Sequence, residues 1–345
     1  MGKRRKPSPP SRAKLAVLTT AAAGTAVLVS STNAYAAPKP DLATVKKQVD
    51  ALYEEAEASI EKFNGAEERA KKLQGEANQL QTQLAEGQEK LNAVQSQLGG
   101  LAAAQYRNGG VDPSLQLMLS SDPDSYLRQA SVRDQEADTQ LSLLRQAQKQ
   151  QQRLDQQRAE TAATLAALDA NHKALAEEKN KVQTKLAEAK KILNSLTAAE
   201  RAQVDVDEAG RASRGAAADR VELPQVPASG RAAAVLKFAQ AQLGKPYIWG
   251  AEGPAGFDCS GLTLRAWEQA GVRLPRVSQD QWNAGTRISR ANLQPGDLVF
   301  FFSDLHHVGI YIGNNKMIHA PRTGKNVTVL DLQYMPDYMG AVRPG

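Results

Sequence analysis

Cys259 is the only cysteine among the 345 residues, and a single thiol cannot form a disulfide within its own chain. The residues that follow it have the spacing of an amphipathic helix, which Gly271 ends. The thiol is therefore expected at or near a helix N-terminus, where the helix dipole favours the nucleophilic thiolate. A lone cysteine is also a common small hydrophobe of protein cores, so both interpretations stay open at this point.

Two histidines, His307 and His319, are the candidate partners of this thiol. The period-two pattern around His307 predicts a strand in which it lies on the face opposite to Val308. If the turn near Gly313 has three residues, Gly309 pairs with His319, and the two histidines become diagonal neighbours on one face. A two-residue turn would move His319 to the other face. The expected site is a nucleophile at a helix start, a base on a strand and a second polar group that orients the base.

The elements that must position these residues lie in the last third of the chain, residues 231–345. This region contains all three tryptophans and most of the phenylalanines, so it is the part able to bury a conventional core. A helix is predicted over residues 231–243. Period-two patterns after the cysteine helix predict five short strands, at residues 298–302, 307–312, 316–320, 327–330 and 339–343. Helices followed by an antiparallel sheet indicate the α+β class.

Residues 37–200 predict a long, all-α antiparallel coiled-coil hairpin. Apolar residues recur at steps of three and four on both sides of a break at about residues 108–123, where Gly and Pro interrupt the pattern. His172 and Lys179 fall on the predicted seam of the second arm, where they are interpreted as polar residues that set register or reach water. The break carries an apolar segment, residues 117–119, which either docks a partner or packs into the turn.

The first 36 residues have the order of a secretory signal, with basic side chains, then an apolar run, then Ala34-Tyr35-Ala36. The apolar run is shorter than the roughly 20 residues of a spanning helix, so cleavage after Ala36 is preferred over an uncleaved anchor. We therefore expect a protein that is secreted and is extracellular or associated with the cell wall. Residues 201–230 are rich in Gly, Pro, Ala and charged residues without a period, and they predict a flexible linker.

The formal net charge of +6 is concentrated in this signal, since it holds six basic residues and no acidic ones. The remainder of the chain is balanced in charge once the signal is removed. No basic patch is left to bind phosphates, and nucleic acid is excluded as a partner. The hairpin is slightly acidic and the C-terminal region slightly basic, which permits contact between them.

The C-terminal region contains ordered motifs, which are Tyr247-Ile248-Trp249-Gly250, Phe257-Asp258-Cys259-Ser260-Gly261, Leu293-Gln294-Pro295-Gly296-Asp297-Leu298-Val299-Phe300-Phe301, His307-Val308-Gly309-Ile310-Tyr311-Ile312-Gly313 and Met317-Ile318-His319-Ala320-Pro321. Together these motifs resemble the NlpC family of papain-like cell-wall cysteine peptidases over roughly residues 231–345. The hairpin is similar, in composition alone, to the N-terminal coiled coils of secreted actinobacterial members.

The resemblance implies a peptidoglycan endopeptidase that cleaves the stem peptide between D-glutamate or D-isoglutamine and the diamino acid. It implies Cys259 as nucleophile, His307 as general base and His319 as the group that orients the base. It implies no cofactor, and a zinc site is disfavoured because one cysteine and the nearby histidines do not make the usual four ligands. The candidate substrate-binding residues are Tyr247, Trp249, Asp258, Ser260, Arg276 and Ser278. Of the remaining residues, Trp249 could equally be core, and His306 is interpreted as a bystander.

Other functions remain open on the sequence. An amidase or acyltransferase on the same fold would use identical chemistry, and a non-enzymatic, wall-binding regulator could act through the coiled coil. In a combined interpretation, the hairpin occludes the cleft until a partner or a protease releases it. By family analogy, an FtsEX-type membrane complex bound to the coiled-coil tip is the candidate partner.

Overall fold

A computed structural model describes residues 41–107, 118, 122–201, 203 and 230–345 of the protein. The predicted signal, most of the predicted break between the two arms and most of the predicted linker lie outside the described residues. The helices are α1 (Leu42–Arg107), α2 (Pro123–Ser195), α3 (Arg231–Ala241), α4 (Cys259–Glu268) and α5 (Ser278–Gln281), and the strands are β1 (Gly285–Ile288), β2 (Leu298–Phe301), β3 (His307–Gly313), β4 (Lys316–His319), β5 (Thr328–Asp331) and β6 (Tyr338–Pro344). Within these described ranges, no helix combines the length and the hydropathy that crossing a membrane requires.

Helices α1 and α2 pack against each other as an antiparallel hairpin. Asn171 of α2 donates a hydrogen bond to the Ala66 carbonyl at 2.6 Å, and Gln150, earlier in α2, donates to the Gly87 carbonyl, later in α1, at 3.1 Å. The buried side chains of the two helices are mostly small or aliphatic, and they include Ala66, Ala77, Leu80, Leu91, Val94, Leu154, Leu168, Val182 and Ala189. The all-α hairpin expected from the sequence is thus present.

The seam of α2 differs from the expected one in phase. His172 and Lys179 are exposed, so their assignment to the seam was wrong. The residues that face α1 lie one position earlier: Asn171, which is buried, and Glu178, whose side chain is 14% exposed. The two sets of residues are neighbours on the surface of α2, and the sequence alone does not show which of them faces α1. The hydrogen bond that Asn171 makes across the hairpin places its set on the inside.

The C-terminal region forms an antiparallel sheet in the order β1-β6-β2-β3-β4-β5, which confirms the α+β class. Five of the strands lie where the period-two patterns predict them. The edge strand β1 was missed, although it pairs with β6 along its whole length, from Gly285 opposite Pro344 to Ile288 opposite Ala341. Three of its four residues are exposed, so it lacks the apolar alternation by which strands are recognised.

The turn between β3 and β4 has two residues, Asn314 and Asn315, which is the shorter of the two alternatives that the sequence left open. Both residues have positive φ, 51° and 55°, as tight hairpin turns commonly require. The register of β3 shifts beside Ile312, so that β3 contains one extra residue, as in a β-bulge. This extra residue restores the parity that a short turn would have reversed. His307 and His319 therefore still lie on one face.

Helix α4 packs on one face of the sheet and shares a continuous hydrophobic core with it. The core includes Leu262, Ala266 and Trp267 from α4 and Leu298, Phe300, Val308, Ile310 and Val342 from the sheet. Each fully buried aliphatic or aromatic side chain contributes about 1.5–3 kcal/mol to the free energy of unfolding. This packing fixes the first residue of α4, Cys259, opposite the strands that carry the histidines.

The hairpin and the C-terminal region belong to one compact unit, Leu42–Gly345. Ile60 of α1 and Val182 of α2 are almost fully buried in the same core as Leu262 of α4. We call residues 50–64 of α1 the docking segment, because this part of the helix lies on the C-terminal region. The hairpin is therefore joined to that region by a shared apolar core in addition to the covalent linker.

Candidate active site

Cys259 lies at the start of α4, where Asp258 caps the helix. The Asp258 carboxylate accepts a hydrogen bond from the Gly261 backbone amide at 2.7 Å, which fixes the first turn. The thiol is buried, and its sulfur lies 3.7 Å from Glu61 Oε1 of the docking segment and 3.7 Å from the His306 carbonyl oxygen. The thiol is thus at a helix N-terminus, as the sequence pattern predicts, but it is covered.

The two candidate histidines are hydrogen-bonded to each other. His307, the first residue of β3, has its Nε2 2.9 Å from Nδ1 of His319, the last residue of β4. His307 Nδ1 has no hydrogen-bond partner among the described residues. If His307 Nε2–H donates to His319, the lone pair on His307 Nδ1 is left to accept a proton from a thiol.

Gly309 allows β3 and β4 to approach each other at this point. A Cβ atom at Gly309 would lie 2.6 Å from the Met317 sulfur and 3.3 Å from His319 Cβ. A side chain at Gly309 would therefore force Met317 to move and would press on His319. The His307-Val308-Gly309 motif therefore needs glycine at its third position, because β4 packs closely against it beside the histidine pair.

Burial sets the ionisation of the catalytic candidates in this covered state. It lowers the pKa of His307 to about 4, and burial together with the neighbouring His307 lowers the pKa of His319 well below its usual value. Burial also raises the pKa of Cys259, and Glu61 and Asp258 raise it further. The expected stabilisation of the thiolate by the helix dipole is therefore outweighed. Both the thiol and the imidazoles are neutral here.

Polar side chains of the docking segment occupy the cleft above Cys259. Glu61 Oε1 accepts a hydrogen bond from Ser260 Oγ at 2.8 Å, and Glu61 Oε2 accepts one from the Ser278 backbone amide at 2.7 Å. Asn64 Nδ2 donates to Asp258 Oδ2 at 3.0 Å. These contacts are buried and directional, so the docking segment fills the space beside Cys259.

Glu57 lies one turn earlier in α1 and faces His307, the candidate base. Its Oε2 is 3.5 Å from His307 Nδ1, the ring nitrogen that has no hydrogen-bond partner in the described structure. Burial raises the pKa of Glu57 to about 8 and is the main cause raising that of Glu61, to about 7. The docking segment therefore covers both Cys259 and His307.

Arg276 holds one side of the cleft together. Its Nη2 lies 2.6 Å from Asp258 Oδ2, its Nη1 donates to Ser260 Oγ at 2.8 Å, and its Nε is 3.0 Å from Glu252 Oε1. Because these partners surround the start of α4, Arg276 orients the nucleophile's helix. Ser260 and Ser278, which were expected at a substrate site, here bind Glu61 instead.

Tyr247 and Trp249 line the cleft with donors that have no acceptor among the described residues, namely the Tyr247 hydroxyl and Trp249 Nε1. The pKa of Tyr247 is raised by burial and by the nearby Cys259, so its hydroxyl keeps its proton. The Trp249 ring packs edge-on against Phe63 of the docking segment, with 5.0 Å between ring centroids. Both donors are therefore buried near α1 without an acceptor in the described part of the chain.

His306 is held in a defined position, although it was interpreted as a bystander. It is buried, its Nδ1 lies 2.5 Å from Asp304 Oδ1, and its ring stacks on Phe302. Its Nε2 has no hydrogen-bond partner in the described part of the chain. It also interacts electrostatically with Glu57 of α1.

A cavity of about 650 Å³ remains between the docking segment and the C-terminal region. It is lined by Glu54 and Glu57 from α1 and by Phe302, His319 and Arg322 from the C-terminal region, among others. The cavity is next to the histidine pair, so part of the cleft stays open while the thiol is covered.

The contribution of the hairpin to this site is what the sequence did not reveal. Glu57, Glu61 and Asn64 are spaced at four and three residues and so share one face of α1 with Ile60. Polar residues at that spacing are usual on the solvent side of a coiled coil. The only signal was Phe63, the one phenylalanine outside the C-terminal region, which packs on Trp249.

Comparison with known proteins gives a match over the region that carries these residues. Residues 244–343 match the model of the NlpC/P60 family. The "Probable endopeptidase" of Corynebacterium glutamicum is 43% identical over 126 residues, which are 36% of this chain and 59% of that protein. The "Probable endopeptidase p60" of Listeria monocytogenes is 50% identical over 92 residues, which are 26% of this chain and 19% of that protein.

Among solved structures, the crystal structure of the NlpC/p60 domain of the peptidoglycan hydrolase SagA is 39% identical. The match covers 32% of this chain and 97% of that one, with a TM-score of 0.31. The chain spans less than two thirds of the length of either relative, and the similarity to all three proteins lies in about a third of the chain or less.

Proposed function

We propose, from the premise that residues 244–343 form a domain of the NlpC/P60 family, that this chain is a cysteine endopeptidase of the bacterial cell wall. Its substrate is the peptidoglycan stem peptide, cleaved between D-glutamate or D-isoglutamine and the diamino acid. The observation that carries the proposal is the His307–His319 pair, 2.9 Å apart, on the strands facing a thiol at a helix N-terminus. Relatives named probable endopeptidases support the reaction class.

The proposed reaction uses groups that the geometry makes available. His307 Nδ1 accepts the thiol proton of Cys259, because His307 Nε2 is engaged with His319. The thiolate attacks the scissile carbonyl carbon, and the Cys259 backbone amide and the Tyr247 hydroxyl are the donors available to the oxyanion. Protonated His307 then gives its proton to the leaving amine. A water molecule, deprotonated by His307, hydrolyses the acyl-enzyme and releases the thiol.

Regulation by the coiled coil is the second part of the proposal. In the covered state, Glu61 binds the two serines beside Cys259, and Phe63 covers Trp249. A peptide cannot reach the sulfur while these contacts persist. The chain is therefore proposed to be latent until the docking segment leaves the cleft, and the linker and the far end of the hairpin are where a protease or a partner would act.

We also propose that the protein acts outside the cytoplasm, because its first 36 residues have the pattern of a secretory signal. An FtsEX-type membrane complex is the candidate partner at the coiled-coil tip, by analogy with other secreted coiled-coil wall hydrolases. Loss of co-purification of such a complex when residues 108–123 are replaced by a short Gly-Ser turn would support this partner. Unchanged co-purification would exclude the tip as its binding site.

The endopeptidase is tested by digesting purified peptidoglycan with residues 230–345 and with the chain lacking its first 36 residues. Mass analysis of the products should show new diamino-acid N-termini, and Cys259→Ala should abolish them. The shorter chain should cleave faster, because it lacks the docking segment. Cleavage at a different bond would indicate an amidase or another acyl-transfer activity, and intact peptidoglycan with the shorter chain would leave only a wall-binding role.

A further inference from the structure

Glu57 is buried, and no described residue donates a hydrogen bond to its Oε1. Its Oε2 is 3.5 Å from His307 Nδ1. If His307 donates from Nε2 to His319, His307 Nδ1 carries a lone pair and repels a negative oxygen. A carboxyl group that is protonated and neutral fits this position, because it has a proton to direct at that lone pair.

Glu61 accepts hydrogen bonds from Ser260 Oγ at 2.8 Å and from the Ser278 backbone amide at 2.7 Å, and one further contact is a hydrogen bond only if its carboxyl is protonated. Ser278 has a single hydroxyl proton, and its Oγ lies 2.6 Å from the Leu305 carbonyl oxygen and 3.1 Å from Glu61 Oε2. The carbonyl can only accept, so the shorter contact takes the hydroxyl proton. The contact between Ser278 Oγ and Glu61 Oε2 is then a hydrogen bond only if Glu61 itself donates.

The balance of buried charge agrees with these contacts. Three buried carboxyl groups, those of Glu57, Glu61 and Asp258, face the single buried guanidinium of Arg276 in this cleft. Arg276 is bound to Asp258 and shared with the half-buried Glu252. Glu57 and Glu61 are only 6% and 2% exposed, so two uncompensated carboxylates would lose most of their hydration and protonation is favoured.

The other charged and titratable groups that face Glu57 and Glu61 do not replace the protons on these two carboxyls. The C-terminal region presents Arg322, Tyr247, Cys259 and the histidines to them, and α1 adds Glu54. Arg322 pairs with Asp50 at 3.6 Å, and the histidines have lowered pKa values and are neutral. On α2, Lys185 pairs with Glu55 on an exposed face of the hairpin.

We infer that the docking segment closes the cleft only with protons on Glu57 and Glu61, so that acid holds the hairpin on the catalytic domain and rising pH releases it. This inference rests on the proposed function, because it describes how the occluded site is opened. Once the segment leaves, both carboxyls are in water and ionise, and the cleft loses two groups that cover its thiol and its base.

The direction follows from proton linkage. The docked state has the higher carboxyl pKa values, about 8 for Glu57 and about 7 for Glu61, against 4.5 in water. Docking is therefore favoured fully below about pH 4.5 and is weakened as the pH rises towards 8. Each proton taken up changes the docking equilibrium about tenfold per pH unit within that window.

The test measures docking directly in the chain from residue 37 onward. Spin labels at Lys72→Cys and Lys237→Cys, in a Cys259→Ala background, report the distance between two exposed positions on the hairpin and the catalytic domain. We expect the fraction with the short, docked distance to fall as the pH rises from 5 to 9. Glu57→Gln combined with Glu61→Gln should stay docked at pH 9, since each amide supplies permanently the neutral donor that the protonated acid supplies.

Glu55→Gln is the matched control, because it removes an acid from the exposed side of the same helical turn and should leave the pH dependence unchanged. Circular dichroism of each variant checks that the helices remain folded. A docked fraction that is independent of pH, or an unchanged slope in the double variant, would overturn the inference alone. A hairpin that is away from the catalytic domain at every pH would also overturn the occlusion proposed above, whereas the digestion assay reports on the peptidase separately.

Discussion

The two walls of the cleft differ in origin and in kind. One wall comes from α4, β3 and β4 and carries the thiol and the two histidines on elements that share one apolar core. The other wall is a single face of α1, on which the polar groups of Glu57, Glu61 and Asn64 lie beside the apolar contacts of Ile60 and Phe63. A rigid apolar core suits groups that must stay aligned for a reaction. Polar contacts, which water can replace, suit a wall that must leave.

The largest effect on the rate of cleavage is expected from a substitution in the wall formed by α4, β3 and β4. His319→Ala removes the hydrogen bond that orients His307, and a base that lacks its orienting partner typically loses about 10³–10⁴ in rate. The measurement is peptidoglycan cleavage by residues 230–345, with and without the substitution. His172→Ala, made in the longer chain from residue 37, should leave cleavage unchanged because His172 is exposed on α2. Cleavage within threefold of wild type in His319→Ala would show that His307 works without this partner.

A substitution in the wall formed by α1 should have the next largest effect, and it should expose the cleft instead of inactivating it. Glu61→Lys puts an ammonium group beside the Arg276 guanidinium and removes the acceptor for Ser260 and Ser278. A buried, unpaired charge costs about 3–5 kcal/mol, so docking should weaken by about 10²–10³. The rate of Cys259 alkylation by iodoacetamide in the chain from residue 37 should rise accordingly. Glu89→Lys, on an exposed part of α1 far from the cleft, is the control, and an equal rise there would contradict the comparison.

The apolar contact of the docking segment should contribute less. Phe63→Ala removes the edge-on contact with Trp249 and part of the apolar surface between the walls, worth about 2 kcal/mol. We expect the alkylation rate of Cys259 to rise about tenfold to thirtyfold. Phe63→Leu, which keeps most of the apolar volume, should give a smaller rise. If Phe63→Ala exceeds Glu61→Lys in effect, the wall is held mainly by apolar contact and the comparison drawn above is wrong.

The smallest effect on the cleft is expected from the distal hairpin. Leu154 is buried against Gly87, away from the docking segment. Leu154→Ala should lower the stability of the hairpin by about 2–5 kcal/mol, seen as earlier loss of helical circular dichroism on heating. Alkylation of Cys259 at 25 °C should stay within twofold of wild type. A large increase would mean that the hairpin unfolds as one cooperative unit with its docking segment.

The positions of the residues in the wall formed by α4, β3 and β4 could largely be predicted from the sequence. Cys259 precedes an amphipathic helix, and the alternation around His307 sets its face, so local periodicity places both. The position of His319 depended on whether the turn has two or three residues, which the sequence left open. The expectation that a two-residue turn moves His319 to the other face was wrong. The extra residue at Ile312 compensates for the shorter turn, and bulges have no simple sequence signature.

The wall formed by α1 could not be predicted from the sequence, because it depends on contacts between residues that are far apart along the chain. Glu57 and Glu61 are ordinary residues for the outer face of a coiled coil, and only their contact with residues about 200 positions later makes them buried. The same holds for the seam of α2, where Asn171 lies inside because the Ala66 carbonyl is opposite it. Occlusion could be suggested from the sequence, but not the residues that produce it.

The buried state of Cys259 also affects how long the protein keeps its chemistry. Oxidants attack the exposed thiolate, and repeated oxidation to the sulfinic and sulfonic acids destroys a nucleophile permanently. In the closed chain the only sulfhydryl is protonated and covered by Glu61, so it is shielded from peroxide and from mixed-disulfide formation with other proteins. The closed form therefore slows the oxidation of Cys259 until the cleft is opened.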